Sequence, residues 1–129
     1  MTFVAGIGCR RGVTADAVVD VIGRALQASA VSRAQLALLA VPDDKLGEAG
    51  IHDAALRLGL SVAPVTQRAM EQASAGALTH SARVQDLKGV PSVAETAALA
   101  IAGKGARLLA PRSANATATC AIAAGDDEQ

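Results

Sequence analysis

Phe3-Val-Ala-Gly-Ile-Gly-Cys-Arg-Arg-Gly-Val-Thr14 opens the chain as an apolar run, a glycine-rich turn and a helix-capping threonine. Residues 3–7 have the length and composition of a buried strand, and residues 8–13 form the turn that leaves it. A helix starts after Thr14, whose hydroxyl can accept from a free backbone N–H, with Asp16 at the positive end of the helix dipole. Val18, Val21, Ile22 and Ala25 recur at helical spacing, and Asp20 with Arg24 forms an i,i+4 pair on the wet face. A strand that feeds a tight turn and an amphipathic helix is the first half of a βαβ unit, which predicts an α/β fold.

The rest of the chain repeats that alternation. Ser32 and Gln35 fit a brief capped turn before a second strand at 36–41, ended by Pro42 and Asp43. A helix fits 48–58, with Ile51, Ala54, Ala55 and Leu58 on one stripe and Gly59 as its stop. A third strand at 60–65 leads to Thr66, which caps a short helix carrying Met70 and Ala73. Residues 74–79 read as a loop, and 82–88 as one or two helical turns ended by Gly89. Pro91-Ser-Val-Ala-Glu95 is a strong helix start, with Ser92 as N-cap and Glu95 closing a capping box, and the helix runs to 102 before Gly103. Strands are expected at 106–110 and 117–123, and residues 125–129 as a flexible polar tail. The last two strands lack an intervening helix, so one of them is expected to run antiparallel in an otherwise parallel sheet.

One domain, residues 1–124, accounts for the 129-residue chain. Phe3 is the only aromatic residue, which leaves no stacking platform for bases, and Lys plus Arg equals Asp plus Glu. No overall field draws the protein to nucleic acid or to a membrane surface, and no apolar run is long enough to span a bilayer. The start lacks a basic region and a long apolar segment of the signal-peptide type, and two free thiols, Cys9 and Cys120, suit a reducing compartment; a cytoplasmic location is expected.

The turn at Gly8-Cys-Arg-Arg-Gly12 is the most informative local feature. Glycines 6, 8 and 12 permit close backbone approach, the helix start offers N–H donors, and Arg10 and Arg11 add two cations, so the turn predicts an anion site at the carboxyl end of a strand. The competing reading is a plain βα turn with solvated arginines. A dinucleotide fingerprint fits poorly, because Gly8 to Gly12 is one residue too long and no acid is well placed at the second strand. No metal is expected, since His52, His80 and the cysteines lack ligand spacing. Cys9 is either a small packed residue or a thiol whose pKa is lowered by the turn. Ser113, Thr117 and Cys9 are possible nucleophiles and Glu95, Asp43 and the histidines possible bases, but no catalytic set can be assembled from sequence.

Four segments carry a resemblance over residues 3–123. They are Gly6-Ile-Gly-Cys-Arg-Arg-Gly12 with Thr14; residues 45–59 with Lys45, Glu48, Gly50 and the Leu58-Gly59 stop; Gly89-Val-Pro-Ser-Val-Ala-Glu95; and Pro111-Arg-Ser-Ala-Asn-Ala-Thr117. Read in order, they resemble the CobE/CbiG C-terminal family. Two positions depart from the family's pattern: Val13 separates Gly12 from Thr14, and Arg112 stands where lysine is usual, a planar fork in place of a point charge. The resemblance implies a three-layer α/β/α sandwich around a small, mostly parallel but mixed sheet of about five strands.

The same resemblance implies cobalamin biosynthesis. CbiG-type proteins, which carry amino-terminal regions lacking here, are associated with opening a lactone of a cobalt-containing precorrin and releasing a two-carbon fragment. A lone C-terminal domain belongs to the aerobic route without an assigned reaction, so the implied role is binding or transfer of a precorrin or other corrinoid intermediate, alongside other enzymes of the pathway. The alternatives are a precorrin hydrolase and, more remotely, a nucleotide-binding module. Gly8, Cys9, Arg10, Arg11, Gly12, Thr14, Lys45, Ser92, Glu95, Arg112, Asn115 and Thr117 are the ligand-site residues so implied; no cofactor is implied. Tetrapyrrole precursors are apolar macrocycles fringed with carboxylates, which glycine-backed N–H groups with Arg10, Arg11, Lys45 and Arg112 would answer.

Overall fold

Strand β1 (Thr2–Cys9) lies inside one mixed sheet, and the other layers are built on it. In this computed structural model, which describes residues 1–126, it is followed by α1 (Ala15–Ser29), β2 (Leu36–Pro42), α2 (Ala49–Leu58) and β3 (Ser61–Val65). Then come α3 (Gln67–Gln72), α4 (Ala82–Lys88), α5 (Val93–Ala102), β4 (Arg107–Leu108), β5 (Ser113–Ala114) and β6 (Ala118–Gly125). The sheet order is β3-β2-β1-β6-β4, with β5 also on β6. β1, β2 and β3 pair in parallel, and β6 pairs antiparallel with β1, β4 and β5. β6 is therefore the reversed strand that the missing helix predicts.

Alternation along β1 divides the core into two layers. Ala5 and Ile7 pack with Leu39, Val41, Cys120 and Ile122 against the Val18, Val21 and Ile22 stripe of α1 and against Ile51 and Ala54 of α2. Val4, Ala40 and Ala123 face the other way, onto Ala97, Ala98 and Leu99 of α5 and Met70 of α3. Gly6 shares the α5 face, and a Cβ there would run into Ala94 O and lie 2.6 Å from Ala98 N. With alanines on the helix and glycine on the strand, α5 sits almost against the sheet. This close approach is how a core nearly devoid of aromatics packs.

The capping residues behave as their chemistry dictates. Thr14, Thr66 and Ser81 accept from Ala17 N, Ala69 N and Val84 N, and Gly59 and Gly89 end α2 and α4 at positive φ. The capping box expected at Ser92 forms by half. Ser92 Oγ accepts from Glu95 N at 3.4 Å, but the Glu95 carboxylate turns away from the Ser92 N–H. It is fully buried and accepts from Leu78 N, Thr79 N, Thr79 Oγ1 and Arg112 N at 2.7–2.9 Å. Four donors outcompete one helix-end N–H.

The edge of β6 corrects a second expectation. Instead of one strand at 106–110, two short strands pair with it, Arg107 opposite Ala124 and Ser113 opposite Cys120. Pro111 has no N–H between them, and the Arg112 N–H is directed at Glu95 instead of the sheet. At the end of the chain, Gly125 is a buried strand residue and Asp126 N donates to Lys104 O at 2.8 Å, while 127–129 of the expected tail lie outside the described residues.

Candidate functional site

Because β6 runs opposite to β1, its first residue meets the last residue of β1, Ala118 opposite Cys9. The segment before β6 thereby lands on the turn after β1, and Arg10 N donates to Thr117 O at 2.9 Å. Asn115 shapes this segment. Its Oδ1 accepts from Thr117 N and Ala118 N, and its Nδ2 donates to Ala17 O and Asp20 Oδ2 at 2.8 and 3.0 Å. The Asn115 amide is thus spent on holding the segment to α1.

Between this segment, the turn and α4 lies an open cleft of about 290 Å³. Gly8, Cys9, Arg10, Arg112, Asn115 and Thr117, six of the twelve residues expected at a ligand site, line it. Lys45 lines an adjoining hollow that shares Gly8, Cys9, Lys88 and Val93 with the cleft. The remaining expected residues stand elsewhere. Arg11 is exposed outside the cleft lining, Thr14 caps α1, and Ser92 and Glu95 are fully buried. Gly12, at φ +80°, gives its N–H to Glu48 Oε1 at 2.8 Å.

That last bond changes the reading of the turn. Arg10 N, Gly12 N and Val13 N are all committed, to Thr117 O, Glu48 and Arg10 O. Gly8 makes room for Thr119 and not for a ligand, since a Cβ there would lie 2.5 Å from Thr119 Oγ1. Three backbone donors of the turn are thus used internally, with a carboxylate beside them. Side-chain cations are what the turn offers instead.

Sequence reasoning missed the wall opposite the turn. Helix α4 contributes Arg83, Val84, Leu87 and Lys88, and Val93 adds an apolar patch. None of the α4 residues is buried, so no amphipathic stripe marked them. Arg10, Arg83, Lys88 and Arg112 line the cleft, and no Asp or Glu does. Among the described residues Arg10, Arg83 and Arg112 form no side-chain ion pair, while Lys88 contacts Asp44 at 3.4 Å.

Cys9 is half-buried at the end of β1. Burial pushes its thiol pKa above the ordinary value, with Glu48 and Asp44 adding to the rise and Lys45 and Lys88 opposing it. Of the two readings of Cys9, the small packed residue fits and the thiol of lowered pKa does not, because desolvation is the larger effect. Cys120, wholly buried in β6, is pushed up further by burial alone, and both thiols are free. Among the described residues no three His, Cys, Asp or Glu side chains gather to hold a metal ion, and no helix is long and apolar enough to cross a membrane.

Comparison with known proteins agrees with this architecture. The family model described as "Cobalamin synthesis G C-terminus" matches residues 3–123. The chain belongs to the CobE/CbiG C-terminal family. Protein CobE of Sinorhizobium sp is 32% identical over 120 residues, covering 93% of this chain and 78% of that protein. The crystal structure of CobE, a protein from the cobalamin biosynthetic pathway, superposes with TM-score 0.89 at 33% identity over 99% of this chain and 93% of that one. Cobalamin biosynthesis protein ChiG from Agrobacterium tumefaciens gives TM-score 0.78 at 41% identity over 98% and 100%. A cobalamin biosynthesis protein G homologue from Sulfolobus solfataricus shares the fold, TM-score 0.74 at 19% identity, over 98% of this chain but only 37% of its own. This CobE/CbiG-type chain is thus a cobalamin-biosynthesis protein, and its site must be read against that chemistry.

Proposed function

We propose that the cleft binds a corrin-ring intermediate, a precorrin or related corrinoid, and passes it between enzymes of the pathway. One observation carries the reading: a chain with zero net charge lines this cleft with Arg10, Arg83, Lys88 and Arg112 and with no acid. Between those cations lie Val84, Leu87 and Val93, with Leu87 68% exposed. An apolar surface ringed by cations matches an apolar macrocycle fringed with carboxylates, because each charge-assisted contact is satisfied at the rim while the ring covers the apolar patch. Local clustering matters here and total charge does not.

Binding is favoured over hydrolysis by the state of Cys9. Burial raises the Cys9 thiol pKa, which counts against Cys9 as the attacking group of a hydrolase and leaves an activated water as the other nucleophile that reading could use. The test is a visible-absorbance titration with the corrin polycarboxylic acid made by fully hydrolysing the amides of cobalamin, at low and high salt. Saturable binding that weakens with salt, without turnover of the bound chromophore, is expected. No spectral change at any concentration would remove the reading, and turnover of a lactone-bearing precorrin, tested beside the acid, would restore the hydrolase alternative.

A further inference from the structure

The hollow beside the cleft is a different kind of space. It measures about 50 Å³, room for a short chain of a few heavy atoms and far too little for a macrocycle. Its lining shares Gly8, Cys9, Lys88 and Val93 with the cleft, so the two spaces adjoin at these residues. Pro42 and Met70, both buried, contribute apolar walls. Lys45 lines it as well, partly buried and with no ion pair among the described residues. Lys88 shares the lining but is already engaged with Asp44, which also faces the hollow. Of all charges acting on the Cys9 thiol, that of Lys45 is the largest, which puts its field across the junction.

We propose that this hollow is a subsite for one carboxylate arm of the macrocycle, with Lys45 as the cation that receives the carboxylate. The proposal rests on the binding reading above and deepens it. The methylenes of an acetate- or propionate-type arm lie against Met70, Pro42 and Val93, and the carboxylate meets Lys45. A partly buried, unpaired ammonium is stabilised by such a partner, and the arm exchanges water for a charge-assisted bond. A hollow of about 50 Å³ admits one arm and not the ring, so the subsite fixes which way round the macrocycle sits. A methylated or amidated arm keeps its shape and loses the charge, and the subsite discriminates against it.

Two measurements test this. In the first, wild type, Lys45→Ala and Lys45→Arg are titrated with the fully hydrolysed corrin polycarboxylic acid and with its methyl ester, with thermal melts to confirm folding. Lys45→Ala should bind the acid about tenfold to a hundredfold more weakly and the ester almost as wild type does, and Lys45→Arg should recover part of the loss. In the second, Cys9 is alkylated with iodoacetamide at alkaline pH while sodium propionate is raised at constant ionic strength, with buried Cys120 as the unreactive internal control. Propionate should slow alkylation in wild type and not in Lys45→Ala. A Lys45 dependence in either measurement supports the subsite. Its absence from both overturns the subsite, and the cleft reading then stands if wild type still binds the acid. If wild type binds no corrin acid yet propionate protects Cys9 through Lys45, the subsite stands and the corrin reading falls.

Discussion

Glu95 Oε2 accepts the backbone N–H of Arg112 at 2.9 Å, while Glu95 Oε1 accepts those of Leu78 and Thr79 at 2.9 and 2.8 Å. One buried side chain therefore ties the loop leading into α4, a helix that lines the cleft, to the rim that carries Arg112. The side chain stands on α5, whose backbone a Cβ on Gly6 of the sheet would meet.

Glu95→Ala should cost at least about 3 kcal/mol, because it orphans three backbone N–H groups and a hydroxyl, each unsatisfied buried group being worth roughly 1–3 kcal/mol. Glu95→Gln should cost less, since one oxygen still accepts, but its NH₂ must face a donor. Urea unfolding of the three proteins checks this. A loss below about 0.5 kcal/mol for the alanine variant, the scale of an ordinary surface substitution, would show that water replaces the carboxylate.

Arg10 and Arg11 should separate. Arg10 lines the cleft and Arg11 does not, so Arg10→Ala should weaken corrin-acid binding about tenfold to a hundredfold and Arg11→Ala by less than about threefold. Arg112→Ala should resemble Arg10→Ala. Arg10→Lys should recover only part of the loss, because an ammonium lacks the two-pronged geometry. Equal effects at positions 10 and 11 would mean that the ligand sits over the turn and not in the cleft.

Gly6→Ala should destabilise the fold by about 2–3 kcal/mol or more, since the added methyl meets the backbone of α5 at Ala94 and Ala98 and the helix must lift from the sheet. Gly8→Ala should cost less, because the nearest atom is Thr119 Oγ1 at 2.5 Å, on a side chain that can rotate. Thermal melts of the two variants rank them. Gly8→Ala as damaging as Gly6→Ala would contradict this account of the α5 contact.

Alkaline pH should destabilise the protein through Cys120. Burial raises its pKa from 9.0 in the fold, so above that value the unfolded chain loses the proton first and gains stability relative to the native state. The contribution is fully present below about pH 9 and is lost progressively as pH rises past it. Cys9, raised by burial in the same direction, adds to the slope. Cys120→Ala should flatten the decline measured by chemical denaturation between about pH 8 and 11. Parallel wild-type and variant curves would place the alkaline loss on other groups.

The family resemblance and the element order rest on short-range patterns. Helical stripes such as Val18-Val21-Ile22-Ala25, caps at Thr14, Thr66 and Ser92, and stops at Gly59 and Gly89 depend on neighbours three or four residues away, and each stands in the structure where that local chemistry puts it. That one of the last two strands reverses was legible for the same reason, because residues 103–117 offer no helix to carry the chain back, but that it is β6 was decided by the tertiary structure. The site was legible only in part. Arg10, Arg112 and Thr117 meet because an antiparallel pairing sets residues more than a hundred positions apart side by side, as Arg10 N and Thr117 O are. Arg83 and Lys88 join them from a helix with no buried residue, which leaves no periodic signal to read. Glu95 shows the limit most plainly. Ser92-x-x-Glu95 spells a capping box in sequence, but hydrogen bonds follow distance in space, and only tertiary packing brought Leu78, Thr79 and Arg112 close enough to take that carboxylate away from the helix end.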